Sequence, residues 1–146
     1  MAWKIPLSDI EFGPEEKDAV RAVLDSGWLT MGEVTHQFEE EFKAYTGARH
    51  AFAVSNATVA LHMACLGLGL KPGDEVIVPS LTFIATANAV RYTGATPVFA
   101  DIASEQDLTI SLDSIKACYT PATKAVIVMH YAGYPCDMPA ILEWAN

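Results

Sequence analysis

Four stretches of the sequence end an apolar run in residues able to bind or react: Ser55-Asn56-Ala57-Thr58, Ser80-Leu81-Thr82-Phe83, Asp101-Ile102 and His130-Tyr131-Ala132-Gly133. In the first, small polar residues open a helix-forming segment. A helix start leaves N–H groups without partners and carries the positive end of the helix dipole. A phosphate therefore fits there, with the Thr58 hydroxyl as a further donor. Ser, Asn and Thr also cap helices that bind nothing, and an ordinary N-cap accounts for this segment taken alone. In the second, Phe83 offers a face on which a flat cofactor ring can stack, although core packing is the commoner role of a single Phe. In the fourth, an imidazole and a phenol stand together and either suits proton transfer. No carboxylate or cysteine partner can be placed beside His130, which favours a satisfied strand-end histidine. Asp101 either orients a ligand or caps the following turn, and His62 reads as packing.

Other chemistries are disfavoured. No G-x-G-x-x-G follows a strand and no Walker motif occurs, which argues against a nicotinamide cofactor. Cys65, Cys118 and Cys136 are far apart and form no C-x-x-C pair, so neither a disulfide framework nor a metal site is indicated, and all three are expected to be reduced. The formal charge of −9 opposes nucleic-acid binding, and no basic cluster offsets it.

The elements that must position these residues follow from periodicity. Pro14, the acids Glu15, Glu16 and Asp18, and apolar Ala19, Val20, Val23 and Leu24 predict a first helix ending before Gly27. A second helix carries Val34, Phe38, Phe42 and Tyr45 on one face, turns Glu39, Glu40 and Glu41 to water, and stops at Gly47. Residues 51–54 predict a strand feeding a helix from Ala57 to about Leu68. Further strands are expected at 75–79, 96–100 and 125–129. Helices are expected at 82–92 and 112–118, with a last one from near Met138. Alternating strands and helices point to an α/β fold, a mostly parallel sheet with helices on both faces. The strand exits listed above then share the carboxyl edge of the sheet, where ligands of such folds bind.

With 146 residues, 51% hydrophobic and 18% charged, the chain can bury one core of ordinary domain size. No apolar stretch reaches the roughly 20 residues of a membrane span. The opening residues lack a secretory pattern, so a soluble, cytoplasmic protein is expected. No linker composition divides the chain, and it stops inside a periodic segment, as a truncated domain would.

Taken in order, these segments resemble the DegT/DnrJ/EryC1/StrS family of pyridoxal-phosphate sugar aminotransferases. The likeness is carried by Ser26-Gly27-Trp28-Leu29-Thr30 before Gly32, by Tyr45-Thr46-Gly47, and by the run from His50 through Ser55-Asn56-Ala57-Thr58 to His62. It continues through Lys71-Pro72-Gly73-Asp74-Glu75, Thr82-Phe83 to Ala89, and Gly94-Ala95-Thr96-Pro97 with Asp101-Ile102. Two positions depart from the pattern: Ala57 stands where many relatives have Gly, and Glu33 where Pro is common.

The resemblance implies the front part of a fold-type-I large domain, residues 1–146. Two helices precede its first strand, its small C-terminal domain is absent, and the assembly is a homodimer. It implies pyridoxal 5'-phosphate as cofactor. The phosphate would be held by the Ala57 N–H and by the Thr58 N–H and hydroxyl, and Phe83 would stack on the ring. Trp28, Leu29 and Thr30 lie on the substrate side of the family's site. The reaction it implies passes an amino group from glutamate to a nucleotide-linked keto-sugar. The lysine and the ring-nitrogen aspartate that this needs lie downstream in the family, so the chain alone is expected to be inactive, with Lys116 and Lys124 facing solvent. Relatives bearing histidine for that lysine dehydrate sugars with pyridoxamine phosphate, and a noncatalytic interaction module is a third reading. An unpaired sheet edge in the shortened chain predicts aggregation.

Overall fold

The computed structural model describes residues 9–146, and the opening residues 1–6 lie outside them. The chain falls into two compact units, Met1–Ala53 and Val54–Asn146. In the first, α1 (Pro14–Ser26) begins after Gly13, whose N–H donates to the Glu16 carboxylate at 2.8 Å, and ends at Gly27 in the left-handed region. The second helix, α2 (Glu33–Thr46), ends likewise at Gly47. Neither helix contains a buried residue, and the stripe Val34, Phe38, Phe42 and Tyr45 stands exposed along α2. One expectation changes here. Glu39 does not face water, because its carboxylate accepts the Ala53 N–H at 2.8 Å and lies 3.3 Å from His36 Nδ1.

The second unit runs α3 (Ala57–Gly67), β1 (Glu75–Pro79), α4 (Ala85–Arg91), β2 (Thr96–Ala100), α5 (Leu112–Cys118) and β3 (Thr123–Val126). A 3-10 turn (Tyr131–Gly133) and α6 (Met138–Ala145) follow. The strands are all parallel in the order β2-β1-β3. Alternation along β1 divides the core. Val76 and Val78 pack with Cys65, Leu70, Ala89 and Val90, so α3 and α4 lie on one face. Ile77 packs with Ile110, Ile115 and Ile141, so α5 and α6 lie on the other. Val76, Ile77 and Val78 are fully buried, each contributing roughly 1.5–3 kcal/mol relative to an exposed side chain. The expected α/β class, a parallel sheet with helices on both faces, is what the chain adopts.

Three boundaries differ from expectation. Residues 51–54 do not form a strand. A strand exists by its ladder, both edges of β1 are taken by β2 and β3, and among the described residues nothing pairs with this run. The last strand sits at Thr123–Val126 rather than 125–129, because β1 sets its register and an irregularity falls between Glu75 and Val76. The helix expected from Thr82 starts at Ala85, since residues 82–84 form a turn in which Phe83 C=O accepts the Thr86 N–H at 3.0 Å.

Candidate functional site at the carboxyl edge of the sheet

A strand rises about 3.3 Å and a helix about 1.5 Å per residue, so β1 with 5 residues and α3 with 11 each span about 16 Å. The turn over residues 68–74 reverses the chain between them. The start of α3 therefore lies level with the carboxyl end of β1, on the face that carries Val76 and Val78. The segment leaving β1 turns at once into α4 on that same face. Ala57, Thr58 and Phe83 are thus brought to one edge and one face of the sheet.

Asn56 caps α3, its Oδ1 accepting the Val59 N–H at 3.0 Å, while its C=O accepts the Ala60 N–H. The N–H groups of Ala57 and Thr58 and the Thr58 hydroxyl are taken up by no hydrogen bond among the described residues. Ala57 is exposed and Thr58 half-buried. The three donors, at the positive end of an 11-residue helix, fit a phosphate.

Phe83 is 72% exposed, which excludes the core-packing role and leaves a ring face open. Its loop is nonetheless fixed. The Thr82 hydroxyl lies 2.8 Å from that of Thr86 and bonds Met129 Sδ at 3.4 Å, which joins the β1 exit to the β3 exit. Asp101 caps its own turn, its Oδ1 accepting the Ile102 N–H at 2.8 Å and the Ser80 hydroxyl at 3.2 Å. His130, expected to be satisfied, is satisfied on one side: Nδ1 accepts the Cys136 N–H at 3.0 Å. Thr82 and the Cys136 backbone escaped the sequence reading. A short threonine and a main-chain donor carry no pattern that marks them.

Within the first unit, Trp28, Leu29 and Thr30 line a cavity of about 520 Å³ with Val23, Gly32 and Val34. The Trp28 indole donates to Met31 C=O at 3.1 Å and covers Gly32 so closely that a Cβ there would lie 2.4 Å from Nε1. Trp28 thus locks the α1–α2 loop, and Leu29 is its most exposed apolar residue at 70%. A cavity of about 560 Å³ beside β3 and α6 is lined by apolar Val126, Met138 and Trp144 together with Tyr119, Lys124 and Asn146.

His62 packs edge-on against Tyr92 with ring centroids 5.3 Å apart, as its packing role requires. Lys116 and Lys124 are exposed. The three cysteines are free, and burial pushes the Cys65 thiol above its ordinary value. Asp107 is held below the ordinary aspartate value, first by the Thr109 hydroxyl at 2.7 Å and then by the Thr109 N–H at 3.0 Å. No helix of the described residues is long and apolar enough to cross a membrane.

Comparison with known proteins points the same way. A model of the DegT/DnrJ/EryC1/StrS aminotransferase family matches residues 11–146. The spore coat polysaccharide biosynthesis protein SpsC of Bacillus subtilis (strain 168) is 50% identical over 146 residues, all of this chain and 36% of SpsC. The structure of S. venezuelae DesV superposes with a TM-score of 0.84 at 44% identity, over 90% of this chain and 35% of DesV. Spr1654 of Streptococcus pneumoniae in its PLP form gives 0.89 at 31% identity, over 97% of this chain and 36% of Spr1654. The chain thus spans about a third of the length of the relatives it matches.

Proposed function

Because the chain belongs to the DegT/DnrJ/EryC1/StrS aminotransferase family, we propose that it is the phosphate- and ring-binding front part of a sugar aminotransferase. The enzyme carries an amino group from glutamate to a nucleotide-linked keto-sugar. The family uses pyridoxal phosphate, and Spr1654 is known in PLP and PMP forms. The reading is supported by the three donors at the start of α3 that meet no partner among the described residues and by the exposed ring of Phe83, which element lengths and packing put toward the same sheet edge.

When bound, pyridoxal phosphate supplies the electron sink for amine transfer. The chain's own residues bind and orient. Ala57 and Thr58 hold the phosphate through their N–H groups and the Thr58 hydroxyl, and Asn56 keeps that helix end wound. Phe83 covers one ring face and keeps water from it, and Thr82 fixes its loop through Thr86 and Met129. Leu29 and Thr30 contact the substrate on a loop that Trp28 holds in shape. The proton-moving lysine is assigned to the part of the relatives that this chain does not span, so the chain alone transfers no amine. The working form is a cytoplasmic homodimer.

The test is to join residues 1–146 to the downstream remainder of SpsC. The joined protein is expected to gain the visible absorbance of bound pyridoxal phosphate and to aminate a nucleotide-linked keto-sugar, whereas the unjoined chain does not. A soluble joined protein that never develops the absorbance would defeat the reading.

A further inference from the structure

The loop after β2 and the turn after β3 wall a cavity of about 410 Å³, lined by Asp107, Leu108, Thr109, Tyr131, Tyr134 and Pro135 among others. That volume falls in the range of small-molecule sites. Both walls are held. In the loop, Ser104 Oγ accepts the Gln106 and Asp107 N–H groups at 3.2 and 3.0 Å, and the Ala103 N–H donates to Thr109 C=O at 2.8 Å. In the turn, His130 C=O accepts the Gly133 N–H at 3.0 Å, His130 Nδ1 accepts the Cys136 N–H at 3.0 Å, and Ala132 is kept in the left-handed region at φ 51. Ile110, just after the loop, and Cys136, just after the turn, are buried in one cluster with Ile77. The cavity is therefore anchored to the core on both sides.

Its chemistry is one-sided. Asp107 is the one charged residue in the lining, and among the described residues no cation pairs with it. Its Oδ1 accepts the Thr109 hydroxyl and N–H at 2.7 and 3.0 Å, which leaves Oδ2 without a partner among the described residues. The same two bonds favour the ionised carboxylate. Tyr134 is 73% exposed, so its ring is not spent on packing, and Tyr131, Leu108 and Pro135 add apolar surface. A phosphate or carboxylate entering here meets a like charge and no cation. A cation meets a free carboxylate oxygen and aromatic rings.

We propose that this cavity binds an organic ammonium, a protonated amine carried on a ring or other apolar body, which pairs with Asp107 Oδ2 and lies against Tyr131 and Tyr134. The site does not depend on the cofactor reading.

The whole chain is titrated with benzylamine, protonated at neutral pH, and followed by amide NMR, with benzyl alcohol as the uncharged counterpart. Shifts should gather at residues 106–109 and 131–134, and the alcohol should bind about tenfold more weakly. Asp107→Asn keeps an acceptor for Thr109 at Oδ1 but removes the charge, and should lose about tenfold in affinity at nearly unchanged stability. Tyr134→Leu should lose about two- to fivefold, whereas Tyr134→Phe, which keeps the ring, should bind as the wild type does. Four outcomes overturn the proposal. They are no shift at the cavity in the folded chain, equal binding of the alcohol, undiminished affinity in Asp107→Asn, or shifts spread over exposed acids such as Glu40 and Glu41, the general attraction of a chain of charge −9.

Discussion

Phe83→Ala separates a ligand-facing aromatic from a core one. The ring is 72% exposed, so little more than a quarter of its burial is lost. Complete burial of such a side chain is worth about 1.5–3 kcal/mol, which sets the expected destabilisation at about 0.4–0.8 kcal/mol. A core phenylalanine would cost about 3–5 kcal/mol. The turn survives, because its bonds run through the Phe83 carbonyl and the Thr82 and Thr86 hydroxyls. Stacking on a bound ring is worth about 0.5–1.5 kcal/mol, so pyridoxamine phosphate should bind about two- to twelvefold more weakly. Urea unfolding reads the first quantity and quenching of protein fluorescence the second. Phe83→Leu, which keeps apolar area but not the flat face, should share the affinity loss. A destabilisation above about 2 kcal/mol with unchanged affinity would make the ring a packing residue and refute the assignment.

Asn56→Ala removes the acceptor of the Val59 N–H and should lower stability by about 1 kcal/mol in urea, with Asn56→Asp retaining most of it. Gly94→Ala combines φ +86 with a Cβ 2.7 Å from Pro72 Cγ. It is expected to cost about 1–3 kcal/mol, seen as a lower urea midpoint at constant slope. Gly32→Ala drives a Cβ into the Trp28 indole, and should release the Met31 bond and red-shift tryptophan emission while unfolding of the rest of the chain is little changed. Asp107 titrates below the ordinary aspartate value in the folded chain. Its stabilising effect is therefore present above the unfolded value and fades as pH falls through the folded one. In Thr109→Val an NMR titration of Asp107 should move back up, and an unmoved midpoint would deny the hydroxyl its part.

What the sequence made legible was whatever local chemistry decides. Gly27 and Gly47 end their helices, Asn56 caps α3, and Pro14 opens α1, each from residue type alone. The apolar run 75–79 is a strand because all its register partners lie within the chain. The equally apolar run 51–54 is not, because pairing is a property of two segments and periodicity reports only one. Glu39 read as a solvated acid for a similar reason: its partners, His36 and the Ala53 N–H, include a main-chain donor 14 residues away. Of the candidate site, Phe83 was marked by its place after β1, whereas the α3 start, which follows no strand, was marked by its small polar residues and by the family resemblance. The fixing of Phe83 by Thr82, and of His130 by Cys136, depends on how the β1 and β3 exits meet, which no single segment encodes.

The central place of β1 has a consequence for how this unit assembles. Glu75 meets Thr96 on one side and Thr123 on the other, contacts that close about 21 and about 48 residues. Loop-closure entropy favours the shorter by about 0.7 kcal/mol. As the polypeptide leaves the ribosome, β1, α4 and β2 can zip together before β3 has been made. If the third strand docks last onto that pair, its irregular first step, between Glu75 and Val76, is where it would adjust, and its amides should gain exchange protection after those of β2.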